Sequence, residues 1–166
     1  MINTSRLENY IIAAEVEQLY TNYCEVLDAS DIEVWPSFFT DDGSYRITTR
    51  ENLENNMPLC FVLCEGRAML CDRAAALKQT VFYRCRFQRR IVSGISVKAI
   101  DRSDGESIET CASFVIYESI GDEPSKLLVC GRSQDVIVRE KNMLKFKQRL
   151  CIIDAQVISD SIVFPI

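Results

Sequence analysis

Apolar side chains along this chain change their spacing once, from a helical repeat to strict alternation. From the N-terminal side, Leu7, Ile11, Ala14, Val16, Leu19, Tyr20, Tyr23, Cys24 and Leu27 recur at helical spacing with one slip near Glu15. Ser5-Arg-Leu-Glu8 has the form of a capping box, so the pattern predicts a helix from Ser5 to Asp28. Ser30-Asp-Ile-Glu33 repeats the signal, and Pro36 limits the aromatic segment holding Trp35, Phe38 and Phe39 to a turn or two. Thr40-Asp-Asp-Gly43 reads as a turn, Ser44 to Thr49 as a strand, and Arg50 to Met57 as a polar, Asn-rich loop. Leu59 to Cys64 reads as a short strand and Glu65 to Gln79 as a further helix.

Beyond Thr80 the alternation takes over. Tyr83 to Ile100, Ser107 to Glu118, Lys126 to Arg139 and Met143 to Gln156 predict four long strands separated by short polar turns, which suit antiparallel hairpins. In the last of them Leu144, Phe146, Leu150 and Ile152 alternate with Lys145, Lys147, Arg149 and Cys151, predicting one apolar face and one mostly basic face. Helices first and a strongly curved, mainly antiparallel sheet second make an α+β plan, in one domain over residues 1–166.

Composition narrows the function. A net charge of −5 argues against a nucleic-acid binder, whose phosphate contacts need concentrated Lys and Arg. The eight cysteines lie mostly inside apolar runs with no Cys-x-x-Cys, as small hydrophobes in a reducing cytosol do. Met1-Ile2-Asn3-Thr4-Ser5 is no secretory leader and no apolar run approaches bilayer length, so a cytoplasmic protein is expected. The absence of histidine is more restrictive still. It removes the usual general base near neutral pH, the usual nitrogen ligand of iron or zinc, and any Ser-His or Cys-His nucleophile pair.

The remaining candidate chemistry is sparse. Asp28, Asp31 and Tyr45 form a conceivable acid/base set, but capping and solvation of the helix junction by the two aspartates, with Tyr45 packed in the core, is the favoured reading. Cys60 and Cys64 share one face of a strand and lack further soft ligands nearby, so packing is favoured over a metal site. Arg84, Arg86, Arg89 and Arg90 fall on both faces of a strand, and with Asp72 and Arg73 they suit a charged subunit interface. Arg50, Glu51 and Asn52 are a further interface candidate, since Arg favours planar bidentate contacts. Ser161-Ile-Val-Phe-Pro-Ile166 is apolar to its last residue, and Phe164, Pro165 and Ile166 are expected to dock into the fold or a subunit boundary.

The order helix, helix, strand, helix, long meander resembles the cone-shaped barrel of nuclear-transport-factor-2-like proteins, a fold that hosts many functions. The segments Tyr23-Cys-x-x-Leu27-Asp28, Trp35-Pro36-x-Phe38-Phe39, Tyr45-Arg46 and Thr48-Thr-Arg-Glu-Asn52 resemble the small subunits of ring-hydroxylating oxygenases. So do Glu65-Gly-Arg67-Ala-Met69, Arg89-Arg90-Ile-Val92, Val136-Ile-Val138-Arg139 and the closing Val163-Phe-Pro-Ile166. The similarity is greatest to the branch acting on aromatic carboxylic acids such as salicylate, anthranilate or terephthalate. The resemblance implies a non-catalytic chain in a complex of three large and three small subunits about a threefold axis, with Glu65 and Arg67 among its interface candidates. It also implies a Rieske 2Fe–2S cluster and a mononuclear non-haem iron, both in the large subunit and none here, with electrons from NADH or NADPH arriving through a reductase and often a ferredoxin. Stabilisation of the hexamer and some influence on substrate choice are what such a subunit would contribute. The rival expectation is a cofactor-free cone-barrel isomerase, dehydratase or small-ligand binder using Asp28 and Tyr45.

Overall fold

The first helix, α1 (Thr4–Asp28), buries Ile12, Val16, Leu19, Tyr20, Tyr23 and Leu27. That stripe keeps the helical repeat without interruption; Leu7, Ile11 and Ala14 lie off it and are exposed, so the slip expected near Glu15 does not exist. The computed structural model describes residues 4–80, 86–103, 105–158 and 161–166, apart from the side chains of residues 4, 5 and 80. The capping contact expected of Ser5 and the predicted strand start at Tyr83 and Arg84 therefore lie outside the described residues.

After α1 the chain makes a single 3-10 turn, Trp35–Phe38, with Pro36 at its start, and Trp35 is completely buried. Strand β1 (Phe39–Thr49) follows directly. The turn expected at Thr40 to Gly43 is instead an irregularity inside this strand: pairing with the neighbouring strand jumps between Phe39 and Ser44. Gly43 permits it, because a Cβ there would lie 2.9 Å from the Thr40 carbonyl oxygen and 3.0 Å from the Phe39 Cβ. The Asn-rich stretch is not all loop, since Arg50–Glu54 forms the short helix α2, capped where the Thr49 hydroxyl accepts a hydrogen bond from the Asn52 amide at 3.1 Å. Strand β2 (Val62–Glu65) then leads into α3 (Gly66–Thr80), which turns Leu70, Ala74 and Leu77 into the core and packs on β1 and β2.

The long strands are β3 (Arg86–Asp101), β4 (Ser107–Ile120), β5 (Lys126–Glu140) and β6 (Met143–Ile153), each antiparallel to the next. Lys141 and Asn142 join β5 to β6 with positive φ angles of 47° and 67°, the backbone of a two-residue hairpin turn. β6 pairs in parallel with β1, giving one open sheet in the order β2-β1-β6-β5-β4-β3. A register shift opposite Val136 and Ile137 puts Lys147 out of phase, and this reverses the face assignment of β6 beyond it. Phe146, Arg149, Cys151 and Ile153 all belong to the buried interior, so Arg149 points inward rather than to a basic outer face.

Candidate functional site

The space between α1 and the sheet is where a helix-and-sheet cone of this kind would hold a ligand, and here it is occupied by aromatic side chains. α1 supplies Tyr20 and Tyr23, the 3-10 turn supplies Trp35, β1 supplies Phe39 and Tyr45, and β6 supplies Phe146. Their rings meet edge to face: Tyr20 and Tyr23 against Phe146 at 5.6 and 5.5 Å, and Trp35 against Phe39 and Tyr45 at 5.7 and 5.3 Å.

A buried ion pair runs through this aromatic packing. The Arg149 guanidinium donates to the Asp135 carboxylate at 2.8 Å, and its carbon lies 4.5 Å from the centre of the Tyr23 ring and 4.8 Å from that of Phe146. Tyr20 donates to the same carboxylate at 2.5 Å, and its hydroxyl lies 2.9 Å from that of Thr110. Helix α1 is thereby tied to β5 and β6 through one acid, and to β4 through Thr110. Burial pushes the Tyr20, Tyr23 and Tyr45 hydroxyls well above the ordinary phenol range. It also pushes the Cys151 thiol up to about 12, against a smaller downward pull from Arg149. None of these groups is poised to give up a proton near neutral pH.

The C-terminal segment closes the same interior. The Ile166 amide donates to the Tyr45 hydroxyl at 2.7 Å, while Tyr23 donates to the Ile166 main-chain oxygen at 2.9 Å and receives a hydrogen bond from the Trp35 indole at 3.1 Å. Pro165 and Ile166 are buried within this chain, Phe164 is half-buried, and the Val163 carbonyl accepts from Arg73 at 3.0 Å.

The expected acid/base set is dispersed among structural contacts. Asp28, at the end of α1, pairs with Arg90 at 2.7 Å and with Arg89 at 3.3 Å. Arg90 also reaches the Pro165 carbonyl and the Gln88 side chain, and Gln88 donates to the buried Glu118, beside which Arg86 lies at 3.4 Å. Tyr45 is committed to Ile166, and Asp31 is exposed at the turn after α1. Among the other interface candidates, Arg50 pairs with Asp154 and Arg67 with Asp41 at 3.3 Å. Asn52 holds the Leu59 carbonyl at 3.3 Å, whereas Glu51, Glu65 and Asp72 are exposed. Arg84 lies outside the described residues. The Asp135–Arg149 pair was absent from the sequence expectations. Asp135 shares the inward phase of Ile137 and was open to detection on that ground; Arg149 was hidden by the register shift.

An open sheet wrapped on N-terminal helices in this order defines the nuclear-transport-factor-2-like class. Residues 23–160 match the family described as ring hydroxylating beta subunit, and the chain belongs to that family. It is 30% identical over 152 residues to the small subunit of anthranilate 1,2-dioxygenase from Burkholderia cepacia, with 92% of each chain covered. It is 23% identical to subunit beta 1 of the terminal oxygenase component of terephthalate 1,2-dioxygenase from a Comamonas species, covering 87% of this chain and 92% of that one. Its structure matches a Novosphingobium aromaticivorans protein described as the beta subunit of an aromatic-ring-hydroxylating dioxygenase, with a TM-score of 0.85, 24% identity, and coverage of 95% and 99%.

Membership in a family of beta subunits implies an alpha subunit as partner. This chain's donor set does not fit the metal centres of such oxygenases, because two-His iron sites and Rieske clusters need imidazole and the sequence has no histidine. Among the described residues no cluster of three or more acidic or thiol side chains could hold a metal ion, and no helix is long and apolar enough to cross a membrane.

Proposed function

We propose that this protein is the structural, non-catalytic small subunit of a multicomponent Rieske-type oxygenase that hydroxylates an aromatic carboxylic acid of the anthranilate or terephthalate kind. The observation that carries the reading is the combination of a sequence without imidazole and an interior whose tyrosines, arginine and aspartate are engaged with one another. A rigid, filled cone is suited to bracing a partner rather than to admitting a substrate. In this reading three copies and three large subunits form the complex about a threefold axis. Dioxygen activation and both iron centres belong to the large subunit, which is fed by a reductase and, where present, a ferredoxin. Contact with the wall of the large subunit's pocket would let the small subunit bias which acid is accepted.

Co-expression with the large subunit tests this. The expected product is a coloured complex that hydroxylates an aromatic acid when supplied with reductase, NADH and oxygen, whereas the isolated chain is colourless and inert. Stoichiometric iron and turnover in the isolated chain would end the proposal. An unchanged substrate profile after exchange for a relative's small subunit removes the part concerning substrate choice.

A further inference from the structure

One stretch of the surface combines exposed apolar side chains with a cation that has no counterpart among the described residues. Met57, Leu59, Phe61 and Leu63 occupy alternate positions in the extended segment that becomes β2, and they are exposed by 36%, 59%, 48% and 45%. Val62 and Cys64, between and beyond them, face the core. The segment is held in place: Phe61 donates its amide to the Ile47 carbonyl at 2.8 Å, and the Leu59 carbonyl accepts from the Thr48 hydroxyl at 2.8 Å. β2 is an edge strand, where an exposed apolar row invites association.

Arg46 lies within this row, paired in register with Leu63 on one side and Leu150 on the other. It is half-buried, its Nε is shut off from solvent with no hydrogen-bond partner, and no carboxylate of the described residues pairs with it. Glu65, one diagonal step away opposite Ser44, is exposed and makes no ion pair with it. An arginine set among apolar side chains, with its charge uncompensated, is complemented by a carboxylate brought from outside. A second apolar patch differs in this respect. Phe87, Ile91, Tyr117 and Leu127 near the β3 edge surround Arg89, whose charge Asp28 already compensates.

We propose that the Met57–Leu63 row with Arg46 is the surface that docks the large subunit, through an apolar segment of that partner carrying a carboxylate opposite Arg46. This rests on the small-subunit reading above and adds the surface and the chemistry of its partner.

The test captures the co-expressed complex through a tag on the large subunit and reads the ratio of small to large chains. Phe61→Asp and Arg46→Glu are each expected to lower the retained small subunit at least tenfold, and Arg46→Lys to lower it less, whereas Phe87→Asp keeps the wild-type ratio. Arg46→Glu replaces a half-buried side chain that has no hydrogen bond or ion pair among the described residues, so its fold, checked by thermal melting of the isolated chain, is expected to be unchanged even if Phe61→Asp proves unstable. Wild-type ratios for a correctly folded Arg46→Glu overturn the inference. So does loss of self-association by either variant with capture unaffected, because the occupant is then a second copy of this chain. A wild-type chain that is never captured overturns the subunit reading itself.

Discussion

Arg149 and Asp135 form a 2.8 Å ion pair whose side chains are 2% and 0% exposed, enclosed by the rings of Tyr20, Tyr23 and Phe146. A pair so enclosed is costly to desolvate, yet costlier to break, because removing one partner strands the other charge in the interior. Asp135→Asn is therefore expected to lower unfolding stability by about 3 kcal/mol or more, read from urea denaturation. Replacing both residues together, Asp135→Asn with Arg149→Met, is expected to cost less than Asp135→Asn alone. Equal stability of Asp135→Asn and wild type would show that the pair is not ionised.

Alkaline pH should weaken the fold. Burial raises the Cys151 thiol from an ordinary value near 9 to about 12, so between those limits the unfolded chain has released a proton that the folded chain still holds. A group raised in the folded state contributes stability below its ordinary value and loses it as pH rises toward the folded one. Urea midpoints are thus expected to fall above pH 9, with this thiol contributing up to about 1.4 kcal/mol per pH unit. The slope between pH 9 and 10 should be shallower in Cys151→Ser, and an identical slope removes Cys151 from the explanation.

Tyr45 separates the structural account from the isomerase or dehydratase alternative. Tyr45→Phe takes away the acceptor of the Ile166 amide and is expected to cost about 1–3 kcal/mol of stability. Removal of Phe164 to Ile166 should destabilise the chain as well, by stripping contacts from Tyr23, Tyr45 and Arg90. In the isolated chain neither Tyr45→Phe nor Asp28→Asn is expected to have an activity to reduce; a measurable turnover that either variant abolishes would reinstate the enzymatic alternative.

The β5–β6 turn offers a stabilising change. Lys141 adopts a positive φ that a long side chain disfavours, and an asparagine there, at the first position of a two-residue hairpin, tolerates it better. Lys141→Asn is expected to raise stability by about 0.5–1 kcal/mol. A lowered melting temperature would mean that the lysine makes a compensating contact.

Most elements were legible from their spacing: α1, α3, β4 and β5 sit where helical or alternating patterns placed them, as do β3 over its described residues and β6 up to Ile153. Two misreadings share a cause. Gly43 in Thr40-Asp-Asp-Gly43 permits an irregularity in a continuing strand rather than a reversal, and the Lys147 register shift turns Arg149 inward. Both depend on where a neighbouring strand lies, which local sequence does not encode. The same holds for the candidate interface: Arg50, Arg67, Arg86, Arg89 and Arg90 are conspicuous as cations, but their acids arrive from distant segments. Arg46, which has no such acid among the described residues, gave no distinguishing mark in the sequence beyond its place in a family-like motif.

The parallel pairing of β1 with β6 joins Tyr45 to Arg149 and Thr49 to Ile153 across most of the chain's length. The β1–β6 pairing thus closes a loop that contains β2, α3 and the strands β3 to β5, a long closure of the kind that slows folding. During biosynthesis β1 is made long before β6, so its place beside that strand stays unfilled until the far half of the chain has emerged.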